Sequence, residues 1–311
     1  MICKFCGKPA SIYIRYANIA LCREHFIQFF EKRVKRTIER FKMISPGEKI
    51  GVAVSGGKDS LTLLHVLYSL SKLMDFKLIG FTINLGIRKY SEECVKIALK
   101  NFRKLKLEYR IINLRDYGFT IDDIVQYKIS KRVCGICGTV KRYILNKVAR
   151  EENVDRLATG HNLDDFLQVI LQGYIHGDLK YLSKYFPVTP SRNKLISRIK
   201  PLVFTPEEEI KKYTVIKGID YCMKKCPYSF QASSHTLKKA ILLIEENHPG
   251  IRFSMFNTYI KKIYPLINAK YSEELELSEC SRCGEPSGKN ICLFCRVKTR
   301  IKSIKSGTII N

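Results

Sequence analysis

From Lys49 to about residue 170 the chain repeats one unit: a short apolar run, a turn, and a helical pattern. Lys49-Ile-Gly-Val-Ala-Val54 leads through a glycine turn into an apolar helical stretch, Leu61–Leu73. Phe76–Ile83 leads into a helical pattern over Glu92–Leu105, Tyr109–Asn113 into one over Val140–Glu151, and Val154–Ala158 into a helix from about Leu163. Apolar runs of this length suit strands covered on both faces, and their alternation with helices implies parallel neighbours joined by helical crossovers. The expected class is α/β with a parallel sheet.

On either side of this core the composition changes. Residues 1–45 hold Cys3, Cys6, Cys22 and His25, then a basic helical stretch in which Lys32, Arg33, Lys35, Arg36, Arg40 and Lys42 interleave with Phe29, Phe30, Val34, Ile38 and Phe41; Ser45-Pro46-Gly47 reads as a linker. Residues 177–203 look irregular and basic. Pro206-Glu-Glu-Glu opens a helix, with proline in the first turn and acids on the positive end of the dipole. Two further helical patterns cover about 234–246 and 252–264. The chain ends in Cys280, Cys283, Cys292, Cys295 and an acid-free basic tail. The expected division is 1–45, 46–270 and 271–311.

Across 311 residues, 55 Lys and Arg face 29 Asp and Glu, a formal charge of +26 that calls for a polyanionic partner, most simply nucleic acid. No apolar run nears the roughly 18 residues of a membrane span. Cys3 and Cys6 leave no room for a signal peptide, so the chain is expected to be cytoplasmic, with twelve reduced cysteines that serve metal rather than disulfides.

Cys280-x2-Cys283-x8-Cys292-x2-Cys295 has the two-knuckle spacing of a four-thiolate zinc site, with Gly284 after the second ligand. Cys3-x2-Cys6-x15-Cys22-x2-His25 repeats that logic with one imidazole. Two Zn²⁺ are expected, in short modules that would have little core without them. Cys134-Gly-Ile-Cys137-Gly138 lies inside the β/α region without an adjacent second pair; Cys222 and Cys226 are its candidate partners. Zinc, a redox pair and an iron–sulfur cluster all remain open on spacing alone.

Ser55-Gly-Gly-Lys-Asp-Ser60 sits between the first strand and its helix, where a glycine turn and free helix N–H groups cradle anions. Gly56 and Gly57 allow the turn and close phosphate approach, Ser55 and Ser60 offer hydroxyls, and Lys58 a compact positive charge. Asp59, an acid in a phosphate site, makes sense as a Mg²⁺ ligand. The spacing is neither that of a Walker A loop nor that of the dinucleotide fingerprint.

This hexapeptide after the first strand is similar to the PP-loop of the N-type ATP pyrophosphatases, which cleave ATP between the α and β phosphates to adenylate a substrate oxygen. Together with the N-terminal Cys/His ribbon, Cys134-x2-Cys137, Gly160-His-Asn-Leu-Asp-Asp165, Cys226-Pro-Tyr and the terminal four-Cys ribbon, it resembles the TtuA/TtcA family of tRNA 2-thiolation enzymes over nearly the whole chain, and its TtuA branch most. The resemblance implies a Rossmann-like parallel sheet of the PP-loop ATP pyrophosphatase type, flanked by N- and C-terminal zinc ribbons. It implies ATP and Mg²⁺ at residues 55–60 with Gly160 and His161, and a [4Fe–4S] cluster on Cys134, Cys137 and Cys226 with one iron left open for a sulfur species. It implies Lys141 and Asp165 as active-site residues beside Asp59: Lys141 to stabilise developing anionic charge, Asp165 to orient a proton or Mg²⁺.

The reaction so implied is adenylation of the C2 oxygen of a tRNA uridine, at position 54, followed by its replacement with sulfur from a ubiquitin-like thiocarboxylated carrier protein, in a homodimer. Wobble uridine 34 and cytidine 32 are the alternative targets; a PP-loop amide ligase and a zinc-ribbon RNA-binding protein are the alternative functions. Asn162 with Asp165 also spells a helix capping box, and His161 is equally readable as a satisfied structural residue. Phe166 stands where the family commonly has Glu. Cys222 could close the open iron, turn the site into four-thiolate zinc, or lie unused in the core, and Cys94 reads as a small buried apolar residue.

Overall fold

The computed structural model describes residues 1–229, 234–271 and 277–307; residues 272–276, where the C-terminal zone is expected to begin, lie outside the described residues. The first element is an antiparallel hairpin of β1 (Ile12–Ile14) and β2 (Ile19–Leu21), followed by α1 (Arg23–Arg40). Phe26, Phe30, Val34 and Ile38 recur every four residues on α1 and are all buried, one stripe facing the core.

The central sheet then builds with β3 (Lys49–Ala53), α2 (Lys58–Ser71), β4 (Lys77–Asn84), α3 (Arg88–Lys104), β5 (Glu108–Asn113), the short α4 (Ile121–Gln126), α5 (Val133–Glu151), β6 (Arg156–Ala158), α6 (Leu163–Ile175), α7 (Leu179–Leu182), β7 (Val188–Thr189) and β8 (Ser197–Ile199). Strand order is β5-β4-β3-β6-β8-β7, parallel throughout except for the antiparallel edge strand β7. Beyond it lie α8 (Glu207–Ile216), α9 (Ser234–Asn247), and α10 (Ile251–Thr258), which runs through a π-helical turn, Tyr259–Ile263, into α11 (Tyr264–Tyr271). A two-residue hairpin, β9 (Ser278–Glu279) and β10 (Pro286–Ser287), and α12 (Leu293–Lys305) complete the chain.

Register explains the two-sided burial. Ile50 pairs with Arg156 and Val52 with Ala158; Ile50, Val52 and Ala158 point into the core that α1, α2, α6 and α8 cover. Gly51 pairs with Ile79 and Leu157, Ala53 with Phe81; Ile79, Phe81 and Leu157 enter the opposite core with α4, α5 and α12. No helix among the described residues is long and apolar enough to cross a membrane.

The α/β class holds, and three local expectations change. The stretch 177–203, expected to be irregular, contains α7, β7 and β8 and completes the sheet; strands of two and three residues are too short to show a period. The helix expected over 140–151 starts at Val133, so Cys134 and Cys137 lie in its first turns. The helix expected from Leu61 starts at Lys58, within the phosphate-loop motif.

Candidate active site

Strand order reverses between β3 and β6, and the loops at the carboxyl ends of these two strands share the crevice where α/β sheets bind ligands. Gly56 there has φ +81°, and a Cβ on it would lie 2.6 Å from the Cys94 carbonyl oxygen. Ser60 Oγ accepts from the Ser55 N–H (3.1 Å) and donates to the Gly57 carbonyl (3.0 Å), so this hydroxyl braces the loop from a buried position. Gly57 ends the turn as the residue before α2, and the helix N-terminus stands open behind it. Gly160, after β6, touches the same loop: a Cβ there would lie 2.9 Å from the Ser60 nitrogen. Only glycine lets the two backbones approach so closely.

Around this loop runs an alternating chain of charge. Lys58 Nζ donates to Asp59 (2.9 Å) and Glu207 (2.6 Å); Lys238 Nζ lies 2.5 Å from Asp165 and 3.1 Å from Glu207; Asn162 Nδ2 donates to Asp59 (3.1 Å). Burial, outweighing the attraction of Lys58 and reinforced by Asp165 and Glu207, raises the Asp59 pKa. Burial opposes the charge on Lys58 and on Lys238, yet the carboxylates outweigh it and raise both pKa values. Glu207 is lowered, because Lys58 and Lys238 overcome its burial. Three acids thus share two lysines in one crevice, a set suited to exchanging lysine for a divalent cation and phosphate. Lys238 and Glu207 carry no motif and were not among the expected site residues.

Asp165 has both expected roles open to it. Its N–H donates to Asn162 Oδ1 (2.9 Å) and its carboxylate accepts from the Asn162 N–H (3.2 Å), a complete capping box at the start of α6, while its other oxygen faces Lys238. Asp164 is spent on structure, buried against Arg252 (2.7 Å) and accepting from the Glu207 N–H (2.7 Å). Phe166 fills the core against Tyr185, Phe256 and Tyr259, where an acid would be unpaired. His161 is solvent-exposed, and its ring bonds Thr159 Oγ1 (2.9 Å). The surrounding protein lowers its pKa; Asp165 opposes this, and Lys200, Lys141 and Arg142 add to it. Lys200 is itself buried, donates to the Phe186 carbonyl (2.6 Å), and is brought to about 8 by burial and by Arg198.

The first turns of α5 supply the thiols. Cys134, Cys137 and Lys141 recur at three and four residues and so share one face. Cys134 Sγ donates to the carbonyl of Tyr228, two residues beyond Cys226 (3.3 Å). Burial raises the Cys137 thiol; Lys141 opposes this, while Cys226 and Cys134 add to it. Cys222 goes elsewhere: it is buried, its N–H donates to the Gly56 carbonyl (2.9 Å), and its side chain bonds that of Cys94, whose pKa burial pushes up to about 12. Both therefore lie against the phosphate loop.

In each ribbon the four ligand atoms lie within 4.8 Å of one another. Tetrahedral zinc with bonds of about 2.3 Å to sulfur and 2.0 Å to nitrogen requires S···S edges of about 3.8 Å and S···N edges of about 3.5 Å. The Cys6–Cys22 and Cys283–Cys292 sulfurs are 3.9 and 3.8 Å apart, and His25 Nδ1 is 3.5 Å from Cys3 and 3.2 Å from Cys22. Burial raises the Cys3 and Cys280 thiols, but the N–H of Cys22 and of Cys292 respectively, with N–H groups of their own knuckles, bring each down to about 6, which favours thiolate ligands. Among the described residues these are the two groups packed to single-ion dimensions; Cys134, Cys137 and Cys226 form no such group. Three thiols with no imidazole or carboxylate among them fit the donor set of an iron–sulfur cluster.

Residues 28–231 match the family model of the PP-loop domain, and residues 2–27 that of the 2-thiouridine synthetase TtuA N-terminal LIM domain. The chain is 39% identical to the tRNA-5-methyluridine(54) 2-sulfurtransferase of Thermus thermophilus, covering 96% of this chain and 91% of that one, and 38% identical to that of Pyrococcus horikoshii, covering 95% and 93%. Its structure is similar to that of the U34-tRNA thiolase NcsA from Methanococcus maripaludis with its [4Fe–4S] cluster, with a TM-score of 0.80, 30% identity, and coverage of 100% of this chain and 98% of that one.

Proposed function

Because the chain belongs to the PP-loop tRNA 2-thiolation sulfurtransferases, we propose that it adenylates the C2 oxygen of uridine 54 of tRNA and exchanges that oxygen for sulfur. The observation that carries this reading is the meeting of Lys58, Asp59, Asp165 and Glu207 at the reversal of the sheet. ATP lies over residues 55–60 with its phosphates on the N-terminus of α2. Lys58 trades a carboxylate for phosphate oxygens, which frees Asp59, with Asp165, to hold Mg²⁺. The uridine C2 oxygen attacks the α-phosphorus, the bond to the bridging oxygen breaks, and pyrophosphate leaves. Lys141 faces the charge that develops, and a neutral His161 donates or accepts a hydrogen bond at the nucleotide. Sulfide then adds at C2 and AMP departs with the former uridine oxygen.

Cys134, Cys137 and Cys226 would hold a [4Fe–4S] cluster, which supplies one iron without a protein thiolate to bind the incoming sulfur. Two Zn²⁺ occupy the ribbons. The sulfur donor is a ubiquitin-like thiocarboxylated carrier protein, and the enzyme works in the cytoplasm as a homodimer; exposed Leu242, Leu243 and Ile244 on α9 support self-association. The division 1–45, 46–270 and 271–311 separates a ribbon with a basic helix, the catalytic unit, and a second ribbon with a basic tail. The likeness to a U34 thiolase over the whole chain supports wobble uridine 34 as a second reading.

Anaerobically purified protein, brown with absorbance near 400 nm, should convert a tRNA transcript, ATP and sulfide into AMP, pyrophosphate and 2-thiouridine. Mass spectrometry of ribonuclease fragments then places the sulfur at 54 or at 34. A colourless protein of full activity would refute the cluster, and AMP release without a thiolated nucleoside would refute the sulfur transfer.

A further inference from the structure

Away from the phosphate loop, α1 shows a second face. Its core stripe is Phe26, Phe30, Val34 and Ile38; the adjoining stripe borders a cavity of about 590 Å³ between α1, the β1–β2 turn, the chain before α8 and the start of α10. Four rings line it. Tyr16 and Phe253 have centroids 4.6 Å apart, Phe253 and Phe204 are 4.8 Å apart, and Phe29 lies across, with the Arg33 guanidinium 4.7 Å over its ring. None of the four is fully buried.

The cations of this cavity are unevenly satisfied. Arg33 is spent inside the protein, pairing with buried Glu209 (2.8 Å) and donating to the Tyr16 hydroxyl. Lys32 and Arg36 are exposed and have no ion-pair partner among the described residues; Arg40 donates to the neutral Asn257 (3.0 Å) and lies over the Phe41 and Phe204 rings (4.9 and 5.7 Å to the centroids), and no acid lines the cavity. Burial lowers the pKa of Arg40. Positive charge concentrated without a counter-charge favours an anion, and partly exposed π-faces beside it favour a flat ring. A nucleotide supplies both: rings stack on a base of any sequence while lysine and arginine take the flanking phosphates. An acidic peptide would satisfy the cations and leave the rings unused.

We propose that this cavity takes one unstacked nucleotide of the RNA substrate, its base among Tyr16, Phe29, Phe204 and Phe253 and its phosphates on Lys32 and Arg36. The inference rests on the tRNA-thiolating function proposed above and adds a base-stacking subsite to it.

The test is filter binding of an unmodified tRNA transcript to the full chain over a series of salt concentrations. Phe29→Leu removes a π-face and no charge, so it should weaken binding between about fivefold and a hundredfold while the salt slope stays unchanged. Lys32→Gln and Arg36→Gln, both at exposed positions that do not threaten folding, should each lower that slope by about one. In the thiolation assay Phe29→Leu should raise KM for tRNA with kcat unchanged. Wild-type affinity in Phe29→Leu, or an unaltered salt slope in both charge variants, overturns the proposal. If the unaltered enzyme thiolates while Phe29→Leu binds normally, only the subsite is wrong; if the unaltered enzyme binds tRNA but never thiolates it, the proposed function is wrong.

Discussion

Replacing Asp165 separates its two roles. In Asp165→Asn the bond from the residue-165 N–H to Asn162 Oδ1 survives, because the acceptor belongs to Asn162, and the new amide oxygen can still accept from the Asn162 N–H. What disappears is the charge facing Lys238 at 2.5 Å, which retains Glu207 at 3.1 Å. Loss of a partly buried charge-assisted bond and of an acid in the first turn of α6 should together cost about 1–2 kcal/mol. Asp165→Ala also forfeits the reciprocal capping bond and should cost about 1 kcal/mol more. At about 2–4 °C per kcal/mol, Asp165→Asn should melt a few degrees below the parent and Asp165→Ala a few degrees lower still. If Asp165 orients a proton or holds Mg²⁺, both variants should lose about a hundredfold or more in 2-thiouridine formation, out of proportion to these small stability changes. Circular dichroism melts and nucleoside mass spectrometry on the same preparations make the comparison. Asp165→Asn thiolating within about threefold of the parent would show that Asp165 only caps a helix.

Other perturbations reach the remaining parts of the site. Cys226→Ser should abolish the absorbance near 400 nm while Cys222→Ser keeps it, since Cys222 faces Cys94 and Gly56; iron and sulfide analysis of both variants decides this. Gly160→Ala places a Cβ 2.9 Å from the Ser60 nitrogen and should weaken ATP binding about tenfold or more by forcing the two loops apart, as read by calorimetry. Lys200 titrates near 8 when folded, below its ordinary 10.5, so the native state binds fewer protons than the unfolded chain between those values. The cost of burying its charge is full below pH 8 and is relieved as pH rises through 8 toward 10.5, by at most about 3 kcal/mol. Urea midpoints at pH 7 and pH 9 should show this gain in the parent and lose it in Lys200→Met.

The phosphate loop was legible because its chemistry is local: six consecutive residues after an apolar strand carry the turn, the charge and the hydroxyls. The ribbon ligand groups were legible for the same reason, the members of each pair having two residues between them. Where α5 begins was not legible. Gly135 and Gly138 are poor helix formers, and the burial of Val133, Ile136 and Val140 in the second core offsets them. Lys238 and Glu207 were invisible as site residues because their partners lie far away in sequence, Lys58 being 149 positions from Glu207. The one available signal was the acid run after Pro206, and helix-dipole reasoning absorbed it whole.

In the structure that acid run does three separate things. Successive residues of a helix point about 100° apart, so Glu207, Glu208 and Glu209 cannot share a target. Glu207 receives Lys58 and Lys238 at the phosphate loop. Glu208 meets Arg252, which is buried and also holds Asp164 beside Asp165. Glu209, buried as well, clamps Arg33 and the Tyr16 hydroxyl behind the ring-lined cavity. A single turn of α8 therefore fixes the nucleotide crevice, the start of α10 and the N-terminal ribbon with α1 to one another. Removing one partner of the buried Arg33–Glu209 pair strands the other charge, at about 3–5 kcal/mol, so this frame is held far more firmly than a surface ion pair could hold it. A nucleotide stacked in the cavity would then sit at a fixed position relative to Lys58 and Asp59. Substrate bound through the N-terminal ribbon and α1 would be presented to the proposed adenylating site by the same rigid turn that receives Lys58 of the phosphate loop.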